Sequence, residues 1–334
     1  MYTGHHYSLV QTLRWSQRGL ILPFVYACVV VALHEWYALE FLRIPTLPMS
    51  LVGIAVAFYL GFKNNASYAR LWEARTIWGS IVNSSRSWAH SVRDLVVGVD
   101  QDQDELRVIH RELVLRHIAW LDALRHQLRR LQTWEHGGDD LVALRKSEGV
   151  AEYSETLAEV LRTHLSEGET EQALAQINPA AFLLARQSKR LAELRNAKCL
   201  DGFSHTLLMG LLQQLMNHQG ASERIKNFPF PRQYATVNTF FARLFALLLP
   251  FGLIPEFHAM GGGMVWMTVI FSTLVSWVFL TTDQIGEWSE NPFEGLANDV
   301  PITAMSRAIE RDLLQMIGET QLPAPRAMAG KTLY

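Results

Sequence analysis

Three large apolar side chains, spaced four residues apart, are the residues of this chain whose types and spacing could control the passage of ions. Ile54, Phe58 and Phe62 line up along one face of a helix, because four residues are close to one helical turn. Such a stripe can form an apolar constriction that loses its water and thereby stops ions. The same spacing also suits side chains that face lipid or pack inside a helix bundle, which is the commoner use of such a stripe.

Patterns typical of catalysis or metal binding are weak in comparison. The sequence has no glycine-rich phosphate loop, no HExxH motif and no GxSxG motif. The adjacent His5 and His6, and the pair His110 and His117 on a helical pattern, lack convergent carboxylate or cysteine partners. The two cysteines do not form a disulfide framework or a zinc motif. We therefore expect a protein that is not an enzyme and that carries no cofactor.

The composition indicates a chain that lies partly in a membrane and partly in water. Of its 334 residues, 49% are hydrophobic, which is too few for a fully embedded protein. The net charge of -2 includes no basic excess, so nucleic acid is not an expected partner. Four apolar segments stand out, at residues 20–33, 47–62, 240–254 and 263–281. Most are shorter than the roughly 20 residues that cross a bilayer, so we expect their flanks to complete the helices.

Basic residues predict the orientation of these four helices. Arg14 and Arg18 precede the first segment, and a series of basic residues that begins at Lys63 follows the second. Between the first two segments there is only Arg43, and the loop between the last two has no lysine or arginine. The positive-inside rule then places both termini and the long central region in the cytosol.

The central region is charged and has helical patterns throughout. Apolar residues recur at three- and four-residue steps over 106–131, Asn178 and Pro179 form a helix start, and residues 302–317 predict a closing helix. We predict four parts: an N-terminal segment with membrane helices one and two (1–62), a cytosolic helical domain (63–235), membrane helices three and four (236–282), and a C-terminal cytosolic belt and tail (283–334).

Several motifs in this chain resemble the bacterial branch of the bestrophin family. They are LGFKNNASYARLWEAR at 60–75, ERIKNFP at 223–229, ENPF at 290–293, NDVP at 298–301 and IERDL at 309–313. The resemblance covers nearly the whole chain, and the motifs are specific when taken together. It implies an all-α membrane protein with four transmembrane helices per subunit, a large helical cytosolic domain and a bestrophin-like homopentamer. It also implies a multi-pass protein of the bacterial inner membrane.

The resemblance further implies an ion channel whose partners are the lipid bilayer and monovalent ions. In the family, the neck of the pore is lined by apolar residues of the second membrane helix, which correspond here to Ile54, Phe58 and Phe62. The bacterial branch favours monovalent cations such as sodium, and the alternative is an anion (chloride) channel of the same architecture. An alternative from another class is a non-conducting membrane scaffold or regulatory protein.

Two further sites rest on the resemblance alone. A cytosolic aperture falls on Ala180, where the family carries a larger aliphatic side chain, so Ile177 and Phe182 are alternatives. Animal members bind calcium after the NPF motif, where the acid of this chain nearest the expected position is Asp299. Because calcium takes about six to eight oxygen ligands, we expect weak calcium binding or none. Asp299 would in that case cap the helix that follows Pro301.

Overall fold

The computed structural model describes residues 1–37, 44–98, 102–137 and 139–334, with the backbone only for 139 and 140. These residues form eleven α-helices and no strand. The helices are α1 (Leu9–Tyr37), α2 (Thr46–Leu95), α3 (Gln103–Arg129), α4 (Asp139–Ser147), α5 (Leu157–Arg162), α6 (Glu167–Leu174), α7 (Pro179–Asn196), α8 (Gly202–Asn227), α9 (Arg232–Ala259), α10 (Met267–Trp288) and α11 (Ile302–Met316). The predicted all-α architecture is confirmed.

Four helices are long and apolar enough to cross a membrane: α1, α2, α9, and α10 together with the single turn that precedes it. The prediction of four membrane helices is confirmed, and polar flanks complete the short apolar segments as expected. The longest is α2, whose 50 residues form one continuous helix. Its apolar first part therefore continues into the polar residues that follow Phe62 without a break.

Helices α1, α9 and α10 and the part of α2 through Arg70 pack into one compact unit, here called the membrane unit, made of Gly4–Arg70 and Phe230–Glu290. One apolar cluster joins α1, α9 and α10, and a second joins α2 to α9. Helices α2 and α9 approach closely at Gly53, where an added Cβ atom would lie 2.9 Å from the Phe245 ring. Small residues at such contacts let membrane helices gain van der Waals packing.

The remaining described residues form a second compact unit, here called the helical unit, made of Met1–Thr3, Leu71–Pro229 and Asn291–Tyr334. Its core centres on α3, whose apolar face packs against α7, α11 and α8. The apolar periodicity over 106–131 therefore marked a buried helix correctly. Large indoles fill this core, and Trp120 donates a hydrogen bond of 2.8 Å to the Gln219 side chain.

Two predicted helix boundaries in the helical unit are confirmed. The Asn178 side chain accepts a 2.9 Å hydrogen bond from the backbone of Ala181, and Pro179 is the first residue of α7. Asparagine satisfies a free N–H group there, while proline has none to satisfy. The closing helix predicted at 302–317 is α11.

Candidate functional site

The three stripe residues project from α2 into open space within a single chain. Ile54 is 67% exposed, Phe58 62% and Phe62 52%. The rings of Phe58 and Phe62 meet edge to face, with 4.5 Å between their centroids. The structure therefore places these side chains together on one surface of the membrane unit, outside its apolar core. Because α2 is a membrane helix, either lipid or another copy of the chain can cover these side chains.

The opposite face of α2 is the one that packs within the chain. Val56 and Leu60 are buried in the cluster that joins α2 to α9. At about 100° per residue, Val56 lies about 200° around the helix axis from Ile54. The rotation of α2 thus separates a packed face from an exposed apolar face.

An ion pair stabilises this rotation directly after the stripe. The Lys63 ammonium donates a 2.6 Å hydrogen bond to Asp283 on α10, and both side chains are buried. Next to it, the Asn64 amide donates to the backbone carbonyl of Thr282 at 3.1 Å. Breaking a buried pair by removing one partner leaves an uncompensated charge, which is strongly destabilising. These contacts therefore hold the packed face of α2 against α10.

The role of this ion pair was missed in the sequence. In the sequence, Lys63 is one of the basic residues that predict the orientation of the second membrane helix, and no pattern there assigns it an acidic partner. A charge beside an apolar segment is a signal that some acid on another membrane helix must compensate it. The sequence places Asp283 two residues after the fourth apolar segment, but only packing brings Lys63 and Asp283 together.

The exposed stripe also extends further along α2 than the three residues selected from the sequence. Leu47 and Leu51 are exposed and precede Ile54 at four- and three-residue steps. Helical periodicity puts them on the same face. The signal was present in the sequence, since these two leucines continue the same spacing.

The three candidates for the cytosolic aperture differ sharply in exposure. Ala180 is completely buried in the core of the helical unit, so its methyl group cannot line an opening. Phe182 is half-buried and packs against the same core. Ile177 is fully exposed in the turn just before α7. The structure therefore argues against Ala180 as the lining residue, because the first turn of α7 directs it inward.

A partly buried polar network fixes the turn that presents Ile177. The Asn178 amide donates to the Glu223 carboxylate at 2.9 Å. The Gln219 side chain donates to the same carboxylate at 2.8 Å and to the Asn178 oxygen at 3.2 Å. A fully connected network of this kind specifies one backbone geometry. The position of Ile177 is thus determined by contacts with α8.

The expected cap on the last helix was wrong, because Asp299 bonds to its own loop. The residue that caps α11 is Pro301, without a side-chain hydrogen bond. One oxygen of the buried Asp299 instead accepts from the backbone N–H groups of Gly295 and Leu296, at 2.7 and 2.9 Å. Burial, and then the charge of Glu294, raises the pKa of Asp299 to about 7.

The other acidic residue of this loop, Glu294, is paired with hydrogen-bond donors of the same chain. Glu294 is fully buried, accepts from the Asn291 amide at 2.7 Å and lies 3.4 Å from the Arg145 guanidinium. Within the described part of the chain, no group of three His, Cys, Asp or Glu ligand atoms converges at Asp299. Both Glu294 oxygens and Asp299 Oδ2 meet hydrogen-bond donors, whereas Asp299 Oδ1 is buried without a hydrogen-bond partner among the described residues.

The two histidines predicted on a helical pattern lie on α3. The imidazole of His110 is 2.7 Å from the backbone carbonyl of Val96. His117 is fully buried, with its Nε2 atom 2.9 Å from the Ser85 hydroxyl. Burial lowers the pKa of His117 to about 3. It therefore serves as a neutral residue of the core.

Comparison with known proteins identifies the family. The family described as Bacterial/Fungal Bestrophin protein matches residues 14–315. Voltage-dependent anion channel-forming protein YneE of Escherichia coli K12 is 31% identical over 305 residues, which cover 91% of this chain and 88% of that protein. Voltage-dependent anion channel-forming protein RSc3414 of Ralstonia nicotianae is 31% identical over 313 residues, covering 91% of this chain and 87% of that protein.

Solved structures agree with this match. The crystal structure of a bacterial bestrophin homolog from Klebsiella pneumoniae is similar with a TM-score of 0.76 and 29% sequence identity. The similarity covers 91% of this chain and 98% of the Klebsiella chain. The motifs, the four apolar helices and these matches lead to the same conclusion: the chain belongs to the bacterial and fungal bestrophin family, a family of membrane ion channels and not of enzymes.

Proposed function

We propose that this chain forms a homopentameric anion channel in which five copies of α2 surround an axial pore. The observation that carries the proposal is the exposed apolar face of α2 at Ile54, Phe58 and Phe62, opposite the face that packs within the chain. One stripe cannot enclose a pore, so several copies must meet around a closed symmetry axis. The number five comes from the family resemblance.

In this assembly each stripe residue forms a ring, and the three rings make the neck. A narrow apolar tube excludes water readily, so a small change of width or side-chain rotation switches conduction. Leu47 and Leu51 lie on the same face and extend the apolar surface toward the start of α2. The buried pair of Lys63 and Asp283 holds each copy of α2 in the rotation that the neck requires.

The names of the relatives support anions as the permeant ions. Both relatives described above are named as anion channel-forming proteins. The expectation of monovalent cations such as sodium receives no support from them. Apolar rings do not distinguish the sign of an ion, so selectivity must come from charged groups elsewhere along the pathway.

We further propose that the helical unit lies in the cytosol of a bacterial cell, with both termini on that side and the membrane unit in the inner membrane. The positive-inside distribution of basic residues supports this orientation. In the helical unit, Ile177 is the residue that forms the second constriction, since it is the one exposed candidate. Asp299 stabilises its loop, and we propose no strong calcium site there.

A flux assay in liposomes tests the neck. Replacing Phe58 or Phe62 with alanine should raise ion flux several-fold, because a wider apolar ring stays wet. The matched control is Phe24→Ala, since Phe24 is an exposed phenylalanine of α1, a helix that does not carry the stripe. It should leave the flux close to that of the parent.

The same liposomes test selectivity and the class of protein. In a potassium chloride gradient, the reversal potential of an anion channel lies near the equilibrium potential of chloride. A reversal potential near the equilibrium potential of potassium would contradict the choice of anions.

A triple variant in which Ile54, Phe58 and Phe62 are all replaced with alanine tests whether the protein is a channel or a membrane scaffold. If neither this variant nor the parent conducts ions, the data favour a non-conducting membrane scaffold.

A further inference from the structure

Two histidines and a carboxylate converge at the C-terminal ends of two membrane helices. His34 and Glu35 lie in the last turn of α1, and His258 lies in the last turn of α9. The Glu35 Oε1 atom is 3.2 Å from His34 Nδ1 and 3.7 Å from His258 Nδ1. All three ligand atoms lie within 4.8 Å of one another. Residues far apart in the sequence thus present three metal-binding atoms to one point.

From this geometry we propose that His34, Glu35 and His258 bind one zinc-class divalent cation. Zinc bonds to histidine nitrogen and carboxylate oxygen are about 2.0–2.2 Å long, which puts two ligands of a tetrahedral ion about 3.3 Å apart. The two measured separations lie on either side of that value. The ligand nitrogens of the two imidazoles lie within 4.8 Å of each other, so rotation of the more exposed His258 side chain would complete the site. Two imidazoles and one carboxylate suit zinc and similar transition metals, whereas calcium and magnesium prefer oxygen.

One of the three side chains is buried and the other two are partly exposed, which suits a metal site that an ion can reach from water. His34 is only 3% exposed, while Glu35 is 33% and His258 45% exposed. The packed His34 ring therefore holds one ligand in place, and the other two ligands leave a path for the ion. With three protein ligands, the fourth position of a tetrahedral ion is taken by water.

The ion would link the end of α1 to the end of α9. The same end of α9 is already joined to the start of α2, because Thr46 donates a 2.6 Å hydrogen bond to Glu256. Under the positive-inside orientation these helix ends face outward, where the site can sample metal from outside the cell. Because the ion binds the folded arrangement, it should stabilise the chain against unfolding.

Calorimetric titration of zinc chloride into the full-length protein in detergent tests the proposal. The parent should carry no polyhistidine tag and should have His5 and His6 replaced with alanine, since that adjacent pair could bind zinc by itself. We expect one zinc ion per chain. His258→Ala and Glu35→Gln should each lower the affinity more than about tenfold. Calcium and magnesium should give no comparable heat.

His90→Ala is the matched control, because His90 is an exposed histidine on another helix and outside the proposed site. Its zinc affinity should equal that of the parent. Both site variants alter partly exposed side chains, and their unfolding midpoints without metal show that they fold. Zinc should raise the unfolding midpoint of the parent by about 3 °C or more, and not that of the site variants.

Cobalt provides a second readout, since a tetrahedral cobalt ion has characteristic visible absorption. That absorption should appear with the parent and be lost with His258→Ala. Equal zinc affinity in the parent, His258→Ala and Glu35→Gln would overturn the proposal. Absence of zinc binding to the parent at micromolar concentrations would also overturn it, and the contact would then be an ion pair between histidine and glutamate.

Discussion

His117 is a neutral imidazole enclosed by the core of the helical unit. It lies between two indoles, with ring centroids 6.1 Å from Trp88 and 5.1 Å from Trp120. Its Nε2 atom makes the 2.9 Å contact with Ser85. Among the described residues, no acidic side chain pairs with this ring. A protonated imidazole here would be an uncompensated buried charge, which is why burial lowers its pKa to about 3.

This burial predicts a loss of stability in mild acid. The unfolded chain protonates His117 below about pH 6.5, while the folded chain stays neutral there down to about pH 3. The unfolded state therefore binds more protons, and the free energy of unfolding falls as the pH decreases. Between pH 6.5 and pH 5 the contribution of this residue is about 2 kcal/mol.

Unfolding midpoints in detergent at several pH values measure this effect. His117→Gln keeps a hydrogen-bonding group for Ser85 but does not titrate, so its midpoint should fall less between pH 6.5 and pH 5 than that of the parent. His90→Gln changes an exposed histidine and serves as the control. Identical pH profiles for His117→Gln and the parent would contradict the assignment.

At the scale of the elements, the contact between α2 and α9 depends on Gly53. The place of its missing side chain is taken by the Phe245 ring, which in turn packs on Phe279 with 4.7 Å between centroids. Because Phe245 is buried and packs on Phe279, its ring has little room to move away. The close approach of the two helices therefore requires glycine at this point.

We expect Gly53→Val to destabilise the protein by about 1–3 kcal/mol, because its side chain would overlap the Phe245 ring. Gly79→Ala is the matched control on the same helix, since no atom lies within 4 Å of its added Cβ atom. Alanine there should stabilise α2 by about 0.5–1 kcal/mol. Unfolding midpoints in detergent distinguish the two, and an unchanged midpoint for Gly53→Val would show that α9 adapts.

At the scale of the whole molecule, one chain leaves a continuous apolar face of α2 uncovered. Lipid can cover such a face, and so can other copies of the chain arranged around a pore. Membrane helices do not gain from apolar contact alone, so assembly needs shape complementarity as well. The proposed assembly turns the exposed face of α2 inward, and the alternative is contact of this face with lipid.

The proposed homopentamer predicts a definite particle mass. Five chains of 38.0 kDa give about 190 kDa, without bound detergent. Native mass spectrometry of the full-length protein in a mild detergent measures this directly, and chemical cross-linking provides a control for subunits lost in the gas phase. A protein that remains monomeric in both experiments has no shared axial pore.

The sequence by itself determined the four apolar helices, several helices of the helical unit and the candidate neck. Apolar periodicity located α3, an asparagine and a proline marked the start of α7, and the spacing of Ile54, Phe58 and Phe62 defined one face of α2. These features depend on residues within a few turns of one another, so local periodicity contains the information. The family resemblance could also be identified from the sequence, because each of its motifs is a contiguous run of residues.

Tertiary structure alone decided which side chains face outward and which distant groups meet. Ala180 is buried because the first turn of α7 is rotated inward, and Asp299 binds its own loop because its backbone folds back on itself. The pair of Lys63 and Asp283 and the cluster at His258 join residues from different helices. Such contacts depend on how whole helices pack and rotate against one another, and no local pattern in the sequence encodes that rotation.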